Sequence, residues 1–158
     1  MYLADYHTHS DSSPDGRETI ARLAEAALAQ GLDEICVTDH VDTVYWGSNA
    51  PRWDFDWDKA QRELAEARQL YGDRLTIRLG AELGEANMAF DRAEHLLNHA
   101  PKLDFVIGSV HMAGKNSGIL TFTTLKKIRK RIIMHLSTAI WRICWSWQSG
   151  AGSACWAT

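Results

Sequence analysis

Residues 34–40 read EICVTDH, a β-branched apolar run that stops on an aspartate and a histidine. Such a run has no helical spacing and predicts a short buried strand over residues 34–38. Its neighbours decide the fold. Upstream, residues 19–30 carry Ile20, Leu23, Ala27 and Leu28 at helical spacing, and Gly31 follows where a helix-ending glycine belongs. Before that helix, residues 2–9 form a short apolar-rich start. Downstream, residues 56–71 read as helix, with Trp57, Leu64 and Leu70 as its apolar positions. Residues 75–83 read as a further strand, 88–97 as helix and 103–110 as an apolar strand. This alternation predicts an α/β fold of parallel strands joined by crossover helices. In such folds the active sites form at the carboxyl ends of the strands.

The bulk properties are those of a soluble domain. A chain of 158 residues, 46% apolar and 23% charged, is long enough for one domain with a real core. A net charge of -3 argues against nucleic acid or an anionic membrane as partner. Cys36, Cys144 and Cys155 form neither a CxxC pair nor a metal-ligand spacing, which fits a reducing compartment. There is no basic, apolar leader and no long apolar run, so a cytoplasmic location is expected.

On that frame the polar residues gather at one rim. His7 and His9 are two apart at the end of the first strand and so share a face. Asp15 lies in the following loop. His40 ends the second strand, Glu82 the third and His111 the fourth. A single histidine at a strand end is ordinarily solvated or hydrogen-bonded. Five ligand-type side chains at four successive strand ends, with Asp15 beside them, point instead to a metal centre. Imidazole and carboxylate donors without thiolate suit Zn, Mn or Fe. His95 and His99 are four apart on a helix but lack the acidic pattern of a helical metal motif, and a solvated helix face explains them. Trp46, Trp53 and Trp57 either cover the substrate pocket or simply pack. Arg17 is read as an exposed charge at a helix start, with a phosphate contact as the alternative.

The segments DYHTHSDSSPDG (5–16), EICVTDH (34–40), LGAELG (79–84) and DFVIGSVHM (104–112) resemble the first four motifs of the polymerase-and-histidinol-phosphatase (PHP) phosphoesterases. The likeness covers about residues 1–115. It implies the N-terminal part of a distorted (β/α)7 TIM-like barrel, truncated, with up to three divalent metal ions. Carried over by position, His7 and His9 bind one metal and Glu82 bridges it to a second. His111 joins the second, while Asp15 and His40 hold the third. Hydrolysis would use metal-activated water and no protein nucleophile. Within the family the spacing and the DFVIGSVH run most resemble histidinol phosphatases, which implies a small phosphate ester, L-histidinol phosphate, as substrate in histidine biosynthesis. The rivals are another PHP phosphoesterase with a different small substrate and a non-catalytic PHP module. Nothing in the sequence indicates the oligomeric state.

The tail departs from this pattern. All 20 acidic residues lie at or before Asp104, while four of the seven tryptophans crowd into the last 18 residues. Soluble domains do not segregate this way. The later His and the Asp-x-His pair that the family resemblance implies are also absent. Loss of one base near Lys115 accounts for all of this. Read back in the other frame, the tail regains acids, an amphipathic helix and a strand ending in Gly-His. Met134 before His135, and Trp147 before Gln148, each force an alanine in that frame. Residues 1–115 are therefore expected to be a partial PHP domain and 116–158 a frameshifted, non-native tail, with phosphatase activity impaired. The alternative is a basic, Trp-rich appendage that binds a partner through residues 126–131.

Overall fold

The computed structural model describes residues 1–111, apart from Gly47 and Asn49; the expected tail at 116–158 lies outside them. Four strands, β1 (Ala4–Thr8), β2 (Glu34–Val37), β3 (Thr76–Gly84) and β4 (Phe105–Ser109), pair in parallel in chain order. Helices α1 (Ile20–Ala29), α2 (Trp57–Tyr71) and α3 (Phe90–Asn98) make the crossovers. Each crossover adds its strand on the same side of the last one, so the sheet curls as the opening part of a TIM-like barrel. The expected strands and helices all form. The third strand runs on to Gly84, and a 3₁₀ turn (Ala86–Met88) delays the third helix to Phe90.

Local chemistry sets the element ends. Thr19 caps α1 by accepting from the Arg22 amide, and Asp56 caps α2 by accepting from the Lys59 amide at 2.8 Å. Gly31, at φ 76°, closes α1 as the sequence predicts. Its amide donates to the Leu28 carbonyl and that of Leu32 to Ala27, both at 3.0 Å, which satisfies two orphan carbonyls of the last turn.

The main core lies between these helices and the sheet. Ile20, Ala24 and Ala27 of α1 and Ala60, Leu64 and Ala67 of α2 meet Ile35, Val37, Ile77 and Leu79 of the sheet. Alanines on both helices permit close approach. Each large aliphatic side chain buried there contributes about 1.5–3 kcal/mol. Trp57 is buried with Val41, Ala81 and Leu96 in a second cluster. Leu70, by contrast, is 51% exposed, so it lies off the buried face of α2 despite its place in the sequence pattern.

The two ends of the sheet are built differently. At the amino end the buried Glu34 accepts hydrogen bonds from the Tyr2 and Tyr6 hydroxyls and from Arg78 Nε. The Arg78 guanidinium holds the Glu34 carboxyl down at about 2, against the smaller opposing effect of burial. At the carboxyl end, pairing resumes after a break beyond Val37: the Glu82 amide donates to the Asp39 carbonyl at 2.9 Å and the Val41 amide to the Glu82 carbonyl at 2.8 Å. The buried Asp39 carboxylate accepts from the Ser10 amide at 2.6 Å and from the Ser10 and Ser13 hydroxyls, both at 2.7 Å. The Ser13 hydroxyl in turn accepts from the His40 amide at 2.9 Å. The loop after β1 is thereby fastened to the end of β2. Gly16 closes it with no room for a side chain, since a Cβ there would meet the Ser10 carbonyl oxygen at 1.7 Å.

Two outcomes are expected. A depressed carboxyl pKa stabilises the fold above the ordinary value of 4.5, and that contribution drains away as pH falls through about 2. Stability of the unaltered chain, followed by urea midpoint against pH, should therefore fall across this window more steeply than that of Glu34→Gln; parallel slopes would contradict the pairing. Asp39→Ala leaves buried donors without an acceptor, at about 1–3 kcal/mol each. Amide exchange across residues 10–16 should accelerate first in that variant, and uniform acceleration along the chain would contradict the fastening role.

Candidate metal centre

The rim predicted from sequence exists, and Glu82 is its centre. This carboxylate is 2% exposed on β3. Its Oε2 lies 3.0 Å from His7 Nε2, 2.9 Å from His9 Nε2 and 3.8 Å from His40 Nε2. Its Oε1 lies 3.0 Å from His111 Nε2. Asp15 meets the His9 ring on the side away from Glu82, with Oδ1 2.9 Å from Nδ1, and shares the Glu82-facing side of His40, with Oδ2 3.6 Å from Nε2. All six sequence-predicted residues therefore come together. The rings of His9 and His40 stand 4.5 Å apart by centroid, and those of His40 and His111 4.9 Å apart.

Packing this many imidazoles around a buried acid has an electrostatic consequence. Burial, the largest single influence, pulls the His9 pKa down, but Glu82 and Asp15 outweigh it and lift the value to about 9. His111 is likewise lowered by burial and raised further by Glu82 and Glu85, to about 10. Glu82 is pushed up by burial yet driven far below the usual carboxylate range by His111, His9 and His40. Asp15 is also lowered, with His9 and His40 overcoming its burial. Protons on the His9 and His111 rings thus supply positive charge beside Glu82.

The donor set fits a divalent ion. His7, His9 and Glu82, then His9, Asp15 and His40, then His40, Glu82 and His111 each place one ligand atom per residue within 4.8 Å of the others. His9 Nε2 is buried with the Glu82 carboxylate 2.9 Å away as its charged neighbour. All donors are imidazole nitrogen or carboxylate oxygen, the chemistry of Zn, Mn or Fe sites.

The other residues singled out in the sequence separate cleanly. Trp46 stands over the site, 4.7 Å from the His40 ring and 5.5 Å from that of His111. Trp57 packs in the core, and Trp53 is exposed beside His95. His95 and His99 stack on one another along α3, with His99 Nδ1 donating to the His95 carbonyl, and belong to none of the ligand groups among the described residues. Arg17 is exposed but lines a cavity of about 430 Å³ together with His7, His9 and Asp15. Asp39, Asp42 and Glu85, all buried next to the site, were not picked out by sequence reasoning. For Asp42 a signal was present, since it lies two residues beyond His40 and thus on the same face of an extended chain.

Comparison with known proteins points to one family. The model of the PHP domain family matches residues 5–147. The histidinol-phosphatase of Lactococcus lactis is 33% identical over 116 residues, which is 72% of this chain and 41% of that protein. A Deinococcus radiodurans protein named probable histidinol-phosphatase is 33% identical over 71% of this chain and 43% of its own length. The chain thus spans about two fifths of the length of the curated relatives it matches. A crystal structure of the Lactococcus lactis histidinol phosphate phosphatase, complexed with zinc, L-histidinol and phosphate, superposes with a TM-score of 0.62 at 31% identity, covering 71% of this chain and 41% of that one. A Listeria monocytogenes structure at 17% identity and TM-score 0.57, covering 75% of this chain and 48% of that one, shares the fold. No helix among the described residues is long and apolar enough to cross a membrane. With a family model spanning most of its length and the ligand-type residues gathered at one rim, the chain belongs to the PHP domain family.

Proposed function

We propose that this chain is the N-terminal part of a metal-dependent phosphomonoesterase that hydrolyses L-histidinol phosphate to L-histidinol and phosphate. The observation that carries the reading is the convergence of His7, His9, His40 and His111, from three other strand ends, on the single buried carboxylate of Glu82. The Lactococcus lactis phosphatase, solved with zinc and both halves of that ester, supports the substrate. Bound divalent ions would supply a nucleophile from water at neutral pH and would neutralise charge on a phosphoryl group.

The chain's own residues have distinct tasks in this reading. His7, His9 and Glu82 would hold one ion, Glu82 and His111 a second, and Asp15 and His40 a third. Glu82, fixed by backbone pairing on both sides, would contribute to the first two. Trp46 covers the rings of His40 and His111 and limits their access to bulk water. Arg17 offers a guanidinium at the cavity beside Asp15, where an anionic ester would enter. The remaining ligands would come from sequence beyond residue 115, which in this chain reads as the product of a shifted frame. The protein would then be a phosphatase fragment of impaired activity in the cytoplasm.

A second reading has one observation in its favour. A Photobacterium profundum protein named probable phosphatase is 32% identical over 70% of this chain and 41% of its own length, which admits another small phosphate monoester as substrate.

Sequencing the gene across the Lys115 codon tests the frame directly: one base missing relative to the restored reading is expected, and an intact frame would remove that part of the proposal. Protein from the restored frame should release phosphate from L-histidinol phosphate in preference to a panel of other small monoesters, and should lose this on chelation. Equal turnover across the panel would favour the second reading. In the 158-residue chain, Glu82→Gln should weaken zinc binding, read by competition with a chromogenic chelator, by more than roughly 100-fold. Unchanged affinity would take Glu82 out of the site.

A further inference from the structure

Behind the rim lies a second layer of acid. Asp42 and Glu85 are both 0% exposed. Asp42 Oδ1 lies 3.4 Å from His40 Nδ1, and Glu85 Oε1 lies 3.4 Å from His111 Nδ1. The opposite nitrogen of each ring, Nε2, points the other way, at Glu82 and, for His40, also at Asp15. Asp42 is thus hydrogen-bonded to the His40 ring from behind and Glu85 stands behind the His111 ring at ion-pair distance, with the candidate metal position in front of both.

The backbone is shaped around these two acids. Glu85 has φ 55°, the only positive φ outside glycine among the described residues. That left-handed turn carries its side chain back beneath β4, where Oε1 accepts from the His111 amide at 2.5 Å. Its own carbonyl accepts from the Thr43 hydroxyl at 2.9 Å, and its amide donates to the Ser109 carbonyl at 3.0 Å. Gly84, the residue before it, leaves the space that Asp42 fills: a Cβ at Gly84 would come within 1.8 Å of Asp42 Oδ1. A left-handed non-glycine residue and a glycine whose missing side chain makes room for a carboxylate fall next to one another at the end of β3. Both serve to place an acid against the rear of an imidazole.

We infer that Asp42 and Glu85 are positioning residues that hold His40 and His111 with Nδ1 protonated, so that Nε2 is the nitrogen each ring offers to a metal ion. A carboxylate accepting the rear N–H of a ligating imidazole fixes its tautomer and orientation and raises its basicity as a ligand. The inference rests on the metal-centre reading proposed above. It adds two residues that were not in the predicted ligand set, and it assigns each acid to the ring whose Nδ1 it approaches, with Asp42, Glu85 and His111 also placing ligand atoms within 4.8 Å of one another.

That specificity gives the test. The 158-residue chain, labelled with ¹⁵N-histidine and loaded with zinc, should show His40 and His111 bound through Nε2 with Nδ1–H retained, by long-range proton–nitrogen spectra. Asp42→Ala should disturb this pattern chiefly at His40, and Glu85→Ala chiefly at His111, each with roughly 10- to 100-fold weaker zinc binding. A merely structural role would disturb both rings equally or neither. If an alanine variant does not fold, Asp42→Asn and Glu85→Gln, which keep the shape and lose the charge, should show the same ring-specific change in smaller measure. Unchanged ring nitrogens and unchanged affinity in folded variants would overturn the positioning role while leaving the metal centre standing. Failure of the unaltered chain to take zinc at all would instead bring down the metal reading, and this inference with it.

Discussion

Glu82 is a carboxylate with 2% exposure on a strand that pairs on both sides, and a buried charge of that kind is tolerable only if positive groups surround it. The positive groups come from elsewhere in the chain. His7 and His9 arrive with the end of β1, His40 with the segment beyond β2, and His111 with the end of β4. Parallel strand order and the alanine-lined contacts of α1 and α2 matter to the site because they bring these ends to one level. The Asp39 clasp matters for the same reason, since it ties the loop bearing Asp15 to the backbone of His40.

The two ends of the sheet solve the same electrostatic problem in different ways. At the amino end Glu34 is paired with Arg78, a permanent cation, and with two tyrosine hydroxyls. That cluster is saturated and serves stability. At the carboxyl end the charged partners of Glu82 among the described residues are imidazoles, which are cations when protonated and metal ligands when not. Arg17 stands at the margin but remains exposed. The carboxyl end is thus built from groups that can exchange their protons for a metal ion, and the amino end from groups that cannot.

Much of this was legible in the sequence, and the reasons are specific. Strand ends can be read because the apolar runs stop abruptly on polar residues, and residues two apart such as His7 and His9 must share a face. Gly31 was legible as a helix terminator because few other residues accept its φ. Leu70 misled, because one apolar residue in a helical pattern does not specify which way the helix is rolled. Asp39 and Glu85 were hidden for different reasons. Asp39 works by accepting from serines some 26 to 29 residues away, a contact that loop closure alone creates. Glu85 works through a left-handed turn that no spacing rule anticipates. The residues that gather at the rim were therefore readable from local pattern, while the acids behind them depend on tertiary geometry.

Histidines and carboxylates at successive strand ends, and no thiolate, would form the metal centre. X-ray absorption at the zinc edge of the zinc-loaded chain tests it most directly, because the first shell reports donor type without reference to activity. The account predicts nitrogen and oxygen donors at about 2.0–2.2 Å with the outer scattering of imidazole rings. A sulfur shell at about 2.3 Å, or a shell lacking imidazole scattering, would contradict it.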